Sequence, residues 1–158
     1  MQLAVILLTA CLYTPPVLAL SCAPPRITNE LLEATPIFFE GTVIKSRDLT
    51  QDESTSLKTK NVGFKGGELK DVRVYILKVV GNVKGVKKGQ MVNVLRNTYW
   101  GDGFTIGQRY MVFPTTRYNN LYKAALCGPS FNTSMSGQVE WVQAALQVIQ
   151  AFLSKQPD

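Results

Sequence analysis

Few residues of this chain suit an enzyme active site, because the sequence of 158 residues contains no histidine. Histidine is the usual general base near neutral pH, a frequent metal ligand, and half of every Ser-His or Cys-His couple. The acidic residues Asp48, Asp52 and Glu53 lie close in sequence, but their spacing does not match a calcium-binding EF-hand loop. We therefore expect that the protein is not an enzyme and holds neither a cofactor nor a metal ion of its own.

An apolar run from Leu3 to Leu12 precedes Tyr13-Thr14-Pro15-Pro16 and then Val17-Leu18-Ala19. A short apolar segment, a helix-breaking segment and small or aliphatic residues before a cut site are typical of a secretory signal. The rival interpretation, a membrane anchor, needs roughly 18 to 20 apolar residues, more than this run supplies. We predict a signal peptide at residues 1–19, a secreted extracellular protein without a membrane segment, and one mature domain over residues 20–158.

Cleavage after Ala19 would remove Cys11 and leave two cysteines, Cys22 and Cys127. An even cysteine count in an oxidising compartment predicts one disulfide, and the alternative is a pair of free buried thiols. Lipidation of Cys22 is a further alternative, although the preceding Ala19-Leu20-Ser21 departs from a bacterial lipobox. A disulfide would staple a new N-terminus, stiffened by Pro24 and Pro25, to the far end of the domain. Such a rigid terminus suits entry into the cleft of another protein.

The composition, 46% hydrophobic and 18% charged, is ordinary for one globular domain. Thr28 or Asn29 could cap a short helix, and Ser136 could open an amphipathic helix that runs to about Leu153. Between them, Arg47 to Asp71 is polar and aperiodic and is interpreted as a long loop or an irregular hairpin. Five segments are rich in β-branched and aromatic residues and are predicted strands: 37–46, with Gly41 at a bulge or close approach, 72–80, 91–96, 109–113 and 121–126.

These elements predict a mainly β fold, a small five-stranded closed barrel similar to an OB-fold, with a partly open barrel as the alternative. The short N-terminal helix precedes the barrel, and the amphipathic C-terminal helix packs on it. The alternative for the C-terminal helix is a partner-binding or membrane-surface element, but its polar face is rich in glutamine rather than in basic residues.

Two surface features have possible binding functions. The chain carries 17 Lys plus Arg against 11 Asp plus Glu, a net charge of +6, and Lys84, Lys87 and Lys88 fall in one predicted turn. They could bind sulfated glycosaminoglycans such as heparan sulfate, and the alternative is a solvated basic loop. Asn132-Thr133-Ser134 is an N-glycosylation acceptor sequence at Asn132. Nucleic acid is not an expected partner of a secreted chain.

Several motifs together resemble the netrin-like (NTR) domain, in particular the N-terminal domain of the tissue inhibitors of metalloproteinases (TIMPs). They are Ser21-Cys22-Ala23-Pro24-Pro25, the strand and turn from Val72 to Gly85, the segment Phe104-Thr105-Ile106-Gly107-Gln108-Arg109-Tyr110-Met111-Val112-Phe113, and Leu126-Cys127. The resemblance covers about residues 20 to 153. The family begins with Cys-x-Cys, whereas this chain has Leu20 at the first position and Trp100-Gly101 where the partner cysteine is expected.

The resemblance implies a secreted, monomeric inhibitor of zinc metalloproteases. In the family, the α-amine and carbonyl of the first mature residue chelate the protease's zinc, and the second side chain enters the adjacent specificity pocket. Carried over, Leu20 supplies the zinc-binding backbone atoms, Ser21 the pocket group, and Cys22, Ala23 and Pro24 the rest of the protease-binding segment. The alternative is a netrin-like module that binds matrix glycosaminoglycans or proteins and inhibits nothing.

Overall fold

The computed structural model describes residues 23–60, 69–98, 103–125, 127–137 and 139–156. This part of the chain is mainly β, with strands outweighing helices. Its helices are α1 Asn29–Ala34, α2 Gln51–Thr59 and α3 Glu140–Leu153. Its strands are β1 Phe38–Asp48, β2 Val72–Lys84, β3 Met91–Asn97, β4 Arg109–Val112, β5 Pro114–Tyr118, β6 Leu121–Ala124 and β7 Phe131–Asn132.

The described strands form one curled sheet in the order β5-β6-β3-β2-β1-β4-β7. Strands β3 and β6 run parallel, and the other neighbours are antiparallel. The prediction of a mainly β fold is confirmed, and each of the five predicted strands is present. The five-stranded closed barrel is wrong, because the sheet has seven strands and curls into a half-barrel.

The two strands that the sequence did not reveal are β5 and β7. Strand β5 follows β4 after a single residue, Phe113, whose backbone N–H donates to Ser130 Oγ at 2.9 Å instead of to a neighbouring strand. The ladder breaks there, so β4 pairs with β1 and β7, whereas β5 pairs with β6. The three central residues of β5 are exposed, and β7 has two residues, so neither shows an apolar pattern over several residues.

Gly41 lies at an irregularity in the register between β1 and β2, as predicted. A Cβ atom at this position would stand 3.1 Å from Leu77 Cβ, which is closer than ordinary contact. The small residue therefore allows β1 and β2 to approach tightly at the bulge.

The inner face of the curl holds the largest apolar cluster. It brings together side chains from β1, β2, β3, β4 and β6: Phe39, Val43, Tyr75, Leu77, Val79, Val92, Val94, Tyr110, Val112, Tyr122 and Ala124, with Phe104 from the segment before β4. The outer face is covered at two places. Helices α1 and α3 cover Phe38, Met111 and Phe113, whereas α2 places Leu57 on Val74 and Ile76.

Helix α2 replaces much of the predicted loop from Arg47 to Asp71, so that prediction is wrong for residues 51–59. Thr50 Oγ1 accepts from the backbone N–H of Glu53 at 3.2 Å, and the Glu53 carboxylate accepts from the backbone N–H of Thr50 at 2.9 Å. This capping box provides hydrogen-bond acceptors for two backbone N–H groups that have none within the helix. Leu57, 1% exposed, fixes α2 to the sheet.

The other two helices agree with the sequence apart from one boundary. Thr28 caps α1 through a hydrogen bond from the Leu31 N–H at 3.3 Å. Helix α3 packs on the sheet and ends at Leu153, as predicted. It begins at Glu140, so the predicted start at Ser136 is wrong: Ser136 follows a short 3₁₀ helix, Thr133–Met135, and accepts no capping bond for α3.

Candidate functional site

The predicted protease-binding segment is described only in part. Leu20, Ser21 and Cys22 lie outside the described residues, whereas Ala23 and Pro24 are exposed. Ile27, 9% exposed, packs into the cluster between the sheet and α3. The segment is therefore anchored within a few residues of Pro24, and it leaves the fold at the surface.

Cys127 lies three residues after the end of β6, in an exposed turn. It takes part in a disulfide. Its partner lies outside the described residues, so the pairing of Cys127 with Cys22 stays a prediction.

The three lysines of the predicted basic turn do not share one environment. The Lys84 ammonium donates to the carbonyl oxygens of Leu32 at 2.7 Å and Glu33 at 3.2 Å, near the end of α1. Helix C-termini carry partial negative charge, so this ammonium stabilises α1. Lys87 and Lys88 are exposed in the connection between β2 and β3. The structure thus leaves two of the three lysines of this turn exposed and engages the third in holding α1.

Asn132 is half-buried on β7, at the edge of the sheet. Its Oδ1 accepts from the Ser134 N–H at 2.9 Å, and its Nδ2 donates to Gln108 Oε1. Ser134 Oγ in turn accepts from the Arg109 N–H at 2.8 Å. A glycosylated asparagine keeps one N–H on Nδ2, so a glycan at Asn132 is compatible in hydrogen-bond number with the contact to Gln108. The prediction of glycosylation stays untested.

A carboxylate that sequence reasoning missed, Glu40, links three parts of the chain. Its Oε2 accepts from Asn82 Nδ2 at 3.0 Å, and its Oε1 accepts from Thr133 Oγ1 at 2.8 Å. These partners are 42 and 93 residues away in sequence, so no local pattern could have indicated the contact. Both partners are neutral hydrogen-bond donors, and neither is a base. The Glu40 carboxylate therefore links these segments by tertiary hydrogen bonds and is not a catalytic group.

Buried polar groups also lie inside the curl. The Arg96 guanidinium stands 4.7 Å from the centroid of the Phe104 ring, which lies 4.4 Å from the Tyr110 ring. Burial raises the pKa of Tyr75, whose ring packs against Phe104 at 5.2 Å. A raised pKa keeps this phenol neutral, so Tyr75 is no candidate for a phenolate nucleophile at neutral pH.

The chain matches no protein-family model and no curated protein. Within the described residues, three or more His, Cys, Asp or Glu side chains nowhere come together as metal ligands could. In the same residues, no helix has the length and apolar character needed to cross a membrane.

Proposed function

We propose that the protein is a secreted, monomeric, TIMP-like inhibitor of zinc metalloproteases with a single netrin-like domain over residues 20–158. The α-amine and carbonyl of Leu20 chelate the catalytic zinc of the protease, and Ser21 enters the adjacent specificity pocket. Cys22, Ala23 and Pro24 line the cleft. The observation that most supports this proposal is the exposure of Ala23 and Pro24 directly before the buried Ile27.

The chemistry of zinc chelation is compatible with leucine at the first position. The metal ligands are backbone atoms, so no thiol is required at Leu20. An α-amine has an unperturbed pKa near 8, and its neutral form is therefore accessible for binding to a metal.

Ordering a loose terminus in a cleft reduces the affinity of binding, so an inhibitor gains from a segment that is already rigid. Pro24 and Pro25 restrict the backbone, and Ile27 anchors it. The proposed Cys22–Cys127 disulfide adds a second anchor close to Leu20. These constraints offset the absence of the first family cysteine.

The experiment is a titration of the secreted protein against a panel of zinc metalloproteases, after mass spectrometry has verified a Leu20 terminus. We expect stoichiometric inhibition of at least one protease. Ser21→Gly should change which proteases are inhibited, because it alters the pocket group alone. Ser136→Gly, the same change in the turn before α3, should inhibit as the wild type does. Wild type that inhibits none of the panel would contradict the proposal.

The second candidate function is a netrin-like module that binds matrix glycosaminoglycans or proteins without inhibiting a protease. Its support is the net charge of +6 together with the exposure of Lys87 and Lys88. Binding to a heparin column at low salt tests it. A protein that passes through the column unretained at 50 mM NaCl is not such a glycosaminoglycan-binding module.

A further inference from the structure

We propose that a band across the outer face of the sheet binds a linear sulfated polysaccharide. The band consists of Thr42, Lys45, Lys78, Met91 and Arg109, on strands β1 to β4. It gives the second candidate function a binding surface, and it involves no residue of the N-terminal segment. The three cations are 33 and 31 residues apart in sequence, so only the fold brings them together.

The register of the sheet places these residues on one face. Thr42 pairs with Arg109 on β4 and with Lys78 on β2, and Lys78 pairs with Met91 on β3. Paired residues of neighbouring strands point to the same side of a sheet. Lys45 pairs with Ile76, whose side chain packs under α2 on the outer face, so Lys45 belongs to that face as well.

No helix of the described chain covers the band. Towards one end of the strands, the next outer-face residue on β2, Ile76, lies under α2, and so does Leu95, which follows the half-buried Asn93 on β3. Towards the other end, Met111 follows Arg109 on the outer face of β4 and lies under α1 and α3, as does Phe38, which lies beyond Glu40 on β1. Lys45, Lys78 and Arg109 are exposed, and Met91 is 50% exposed. The band is therefore a strip of open sheet between two covered regions.

The band is also electrostatically uncompensated within the described residues. Neither Lys45, Lys78 nor Arg109 forms a side-chain ion pair or hydrogen bond with another described residue. By contrast, two cations further along β1 and β2 are paired: Arg47 with Glu53 at 2.7 Å and Arg73 with Asp48 at 3.3 Å. The nearest outer-face carboxylate, Glu40, is held by Asn82 and Thr133. Three charges without a counter-charge form an attractive site for an anion.

The spacing of the band suits an extended polymer. Neighbouring strands lie about 4.8 Å apart, so the backbones of Lys78 and Arg109, separated by β1, stand about 10 Å apart. Met91 begins β3, and the exposed Lys87 and Lys88 lie four and three residues before it in the connection from β2. The row of positive charge therefore continues beyond the edge of the band towards this turn.

The chemistry of the band favours a sulfated polysaccharide over other occupants. Single-stranded nucleic acid binds through aromatic side chains that stack on its bases, and the band has no aromatic residue. A stable protein interface requires about 800 Å² on each partner with an apolar centre, and Met91 is the one large apolar side chain of the band. The lysine and arginine side chains on this uncovered strip can instead contact the sulfate groups of a hydrophilic polysaccharide, which needs neither stacking nor an apolar centre.

A matched pair of triple variants tests the band on a heparin column. Lys45→Ala with Lys78→Ala and Arg109→Ala removes its three charges. The control, Lys58→Ala with Lys60→Ala and Lys155→Ala, removes three exposed cations elsewhere, so both variants change the net charge from +6 to +3. We expect the band variant to bind heparin roughly 100-fold more weakly at low salt. The control should elute near the wild type.

The salt dependence of binding provides a second reading. For nucleic acids, each neutralised phosphate contributes about 0.9 to the slope of log affinity against log salt, and we expect a comparable decrease for each lost sulfate contact. For the band variant, the slope of log affinity against log salt should therefore be smaller in magnitude by about 2 to 3. Equal elution of the two triple variants would overturn the proposed site while leaving the binding function intact. Failure of the wild type to bind heparin would overturn both.

Acetylation of the wild-type protein avoids any dependence on the folding of variants. Bound heparin should protect Lys45 and Lys78 from acetylation and leave Lys58 and Lys60 reactive, as measured by mass spectrometry. Protection of Lys58 and Lys60 alone would contradict the proposal.

Single-stranded DNA and vesicles with 30% phosphatidylserine serve as competitors. Displacement of heparin from the wild type by either at equal charge concentration would assign the band to that ligand and reject a preference for sulfated polysaccharide.

Discussion

Replacement of Glu53 by glutamine should destabilise the protein near neutral pH and have little effect in strong acid. The Glu53 carboxylate accepts two hydrogen bonds of 2.7 Å from the Arg47 guanidinium and also accepts from the Thr50 N–H. The hydrogen bond from Arg47 is the main reason that the pKa of Glu53 falls from its ordinary value of 4.5 to about 2. Glutamine keeps the size of the side chain and removes its charge.

The magnitude follows from the pKa. A fall from 4.5 to about 2 corresponds to about 3 kcal/mol of stabilisation of the charged, folded form. Glu53 is 18% exposed but Arg47 is 36% exposed, so solvent screening lowers this value. We expect Glu53→Gln to lower the free energy of unfolding by roughly 1–2 kcal/mol at pH 7. The melting temperature should fall by about 3–8 °C.

The pH dependence gives this prediction its sign. The folded-state pKa lies below the unfolded value, so the stabilisation is fully present above pH 4.5 and is lost as the pH falls towards 2. Urea denaturation followed by circular dichroism between pH 2 and pH 7 should show the difference between wild type and variant shrinking with acid.

The matched control is Asp52→Asn, which removes the same charge from the same helical turn without touching Arg47. It should lower the free energy of unfolding by about 0.5 kcal/mol or less. A Glu53→Gln effect that is independent of pH, or no larger than that of Asp52→Asn, would refute the reasoning.

Three further predictions concern other contacts. Gly85→Ala should lower the free energy of unfolding by about 2 kcal/mol or more in urea titrations, because Gly85 has φ +76° and an added Cβ would stand 2.6 Å from the Pro36 carbonyl oxygen; an unchanged midpoint would contradict this. Lys84→Met keeps the aliphatic stem but removes the ammonium from the end of α1, so it should destabilise the fold by about 1–2 kcal/mol. Its heparin binding should stay close to that of the wild type. Loss of heparin binding in a folded variant would reject the assignment of Lys84 to a structural role. Non-reducing peptide mapping should find one intramolecular bond between Cys22 and Cys127, and two free thiols or a disulfide-linked dimer would disprove the pairing.

The sequence predicts those elements whose own residues show a regular pattern. The β-branched run that forms β2 and the apolar spacing of Val142, Ile149 and Phe152 in α3 reflect burial on one side of each element. Thr28, a local N-cap, likewise marks the start of α1.

Helix α2 was missed although its capping box is local, because residues 51–59 carry one buried apolar side chain, Leu57, and so show almost no amphipathic period. The Thr50 and Glu53 pair was the available signal. Strand β5 was missed because its exposed residues pair with β6 without contributing to a core.

The surface band could not be predicted from the sequence. Sequence proximity grouped Lys84 with Lys87 and Lys88, but the strand register and the carbonyls of α1 separate Lys84 from its neighbours. The same register joins Lys45, Lys78 and Arg109 from three strands. Clusters of charge that depend on strand pairing therefore require the fold, and even for lysines close in sequence the fold decides which of them stay exposed.

The most direct test of the proposed function is the addition of one alanine before Leu20. The extension moves the α-amine by about 3.5 Å, far more than the tolerance of roughly 0.2 Å for a metal–ligand distance. Wild type with a verified Leu20 terminus should inhibit at least one zinc metalloprotease stoichiometrically, and the extended protein should not, although circular dichroism shows the same fold. Equal inhibition by the two proteins would contradict zinc chelation by Leu20.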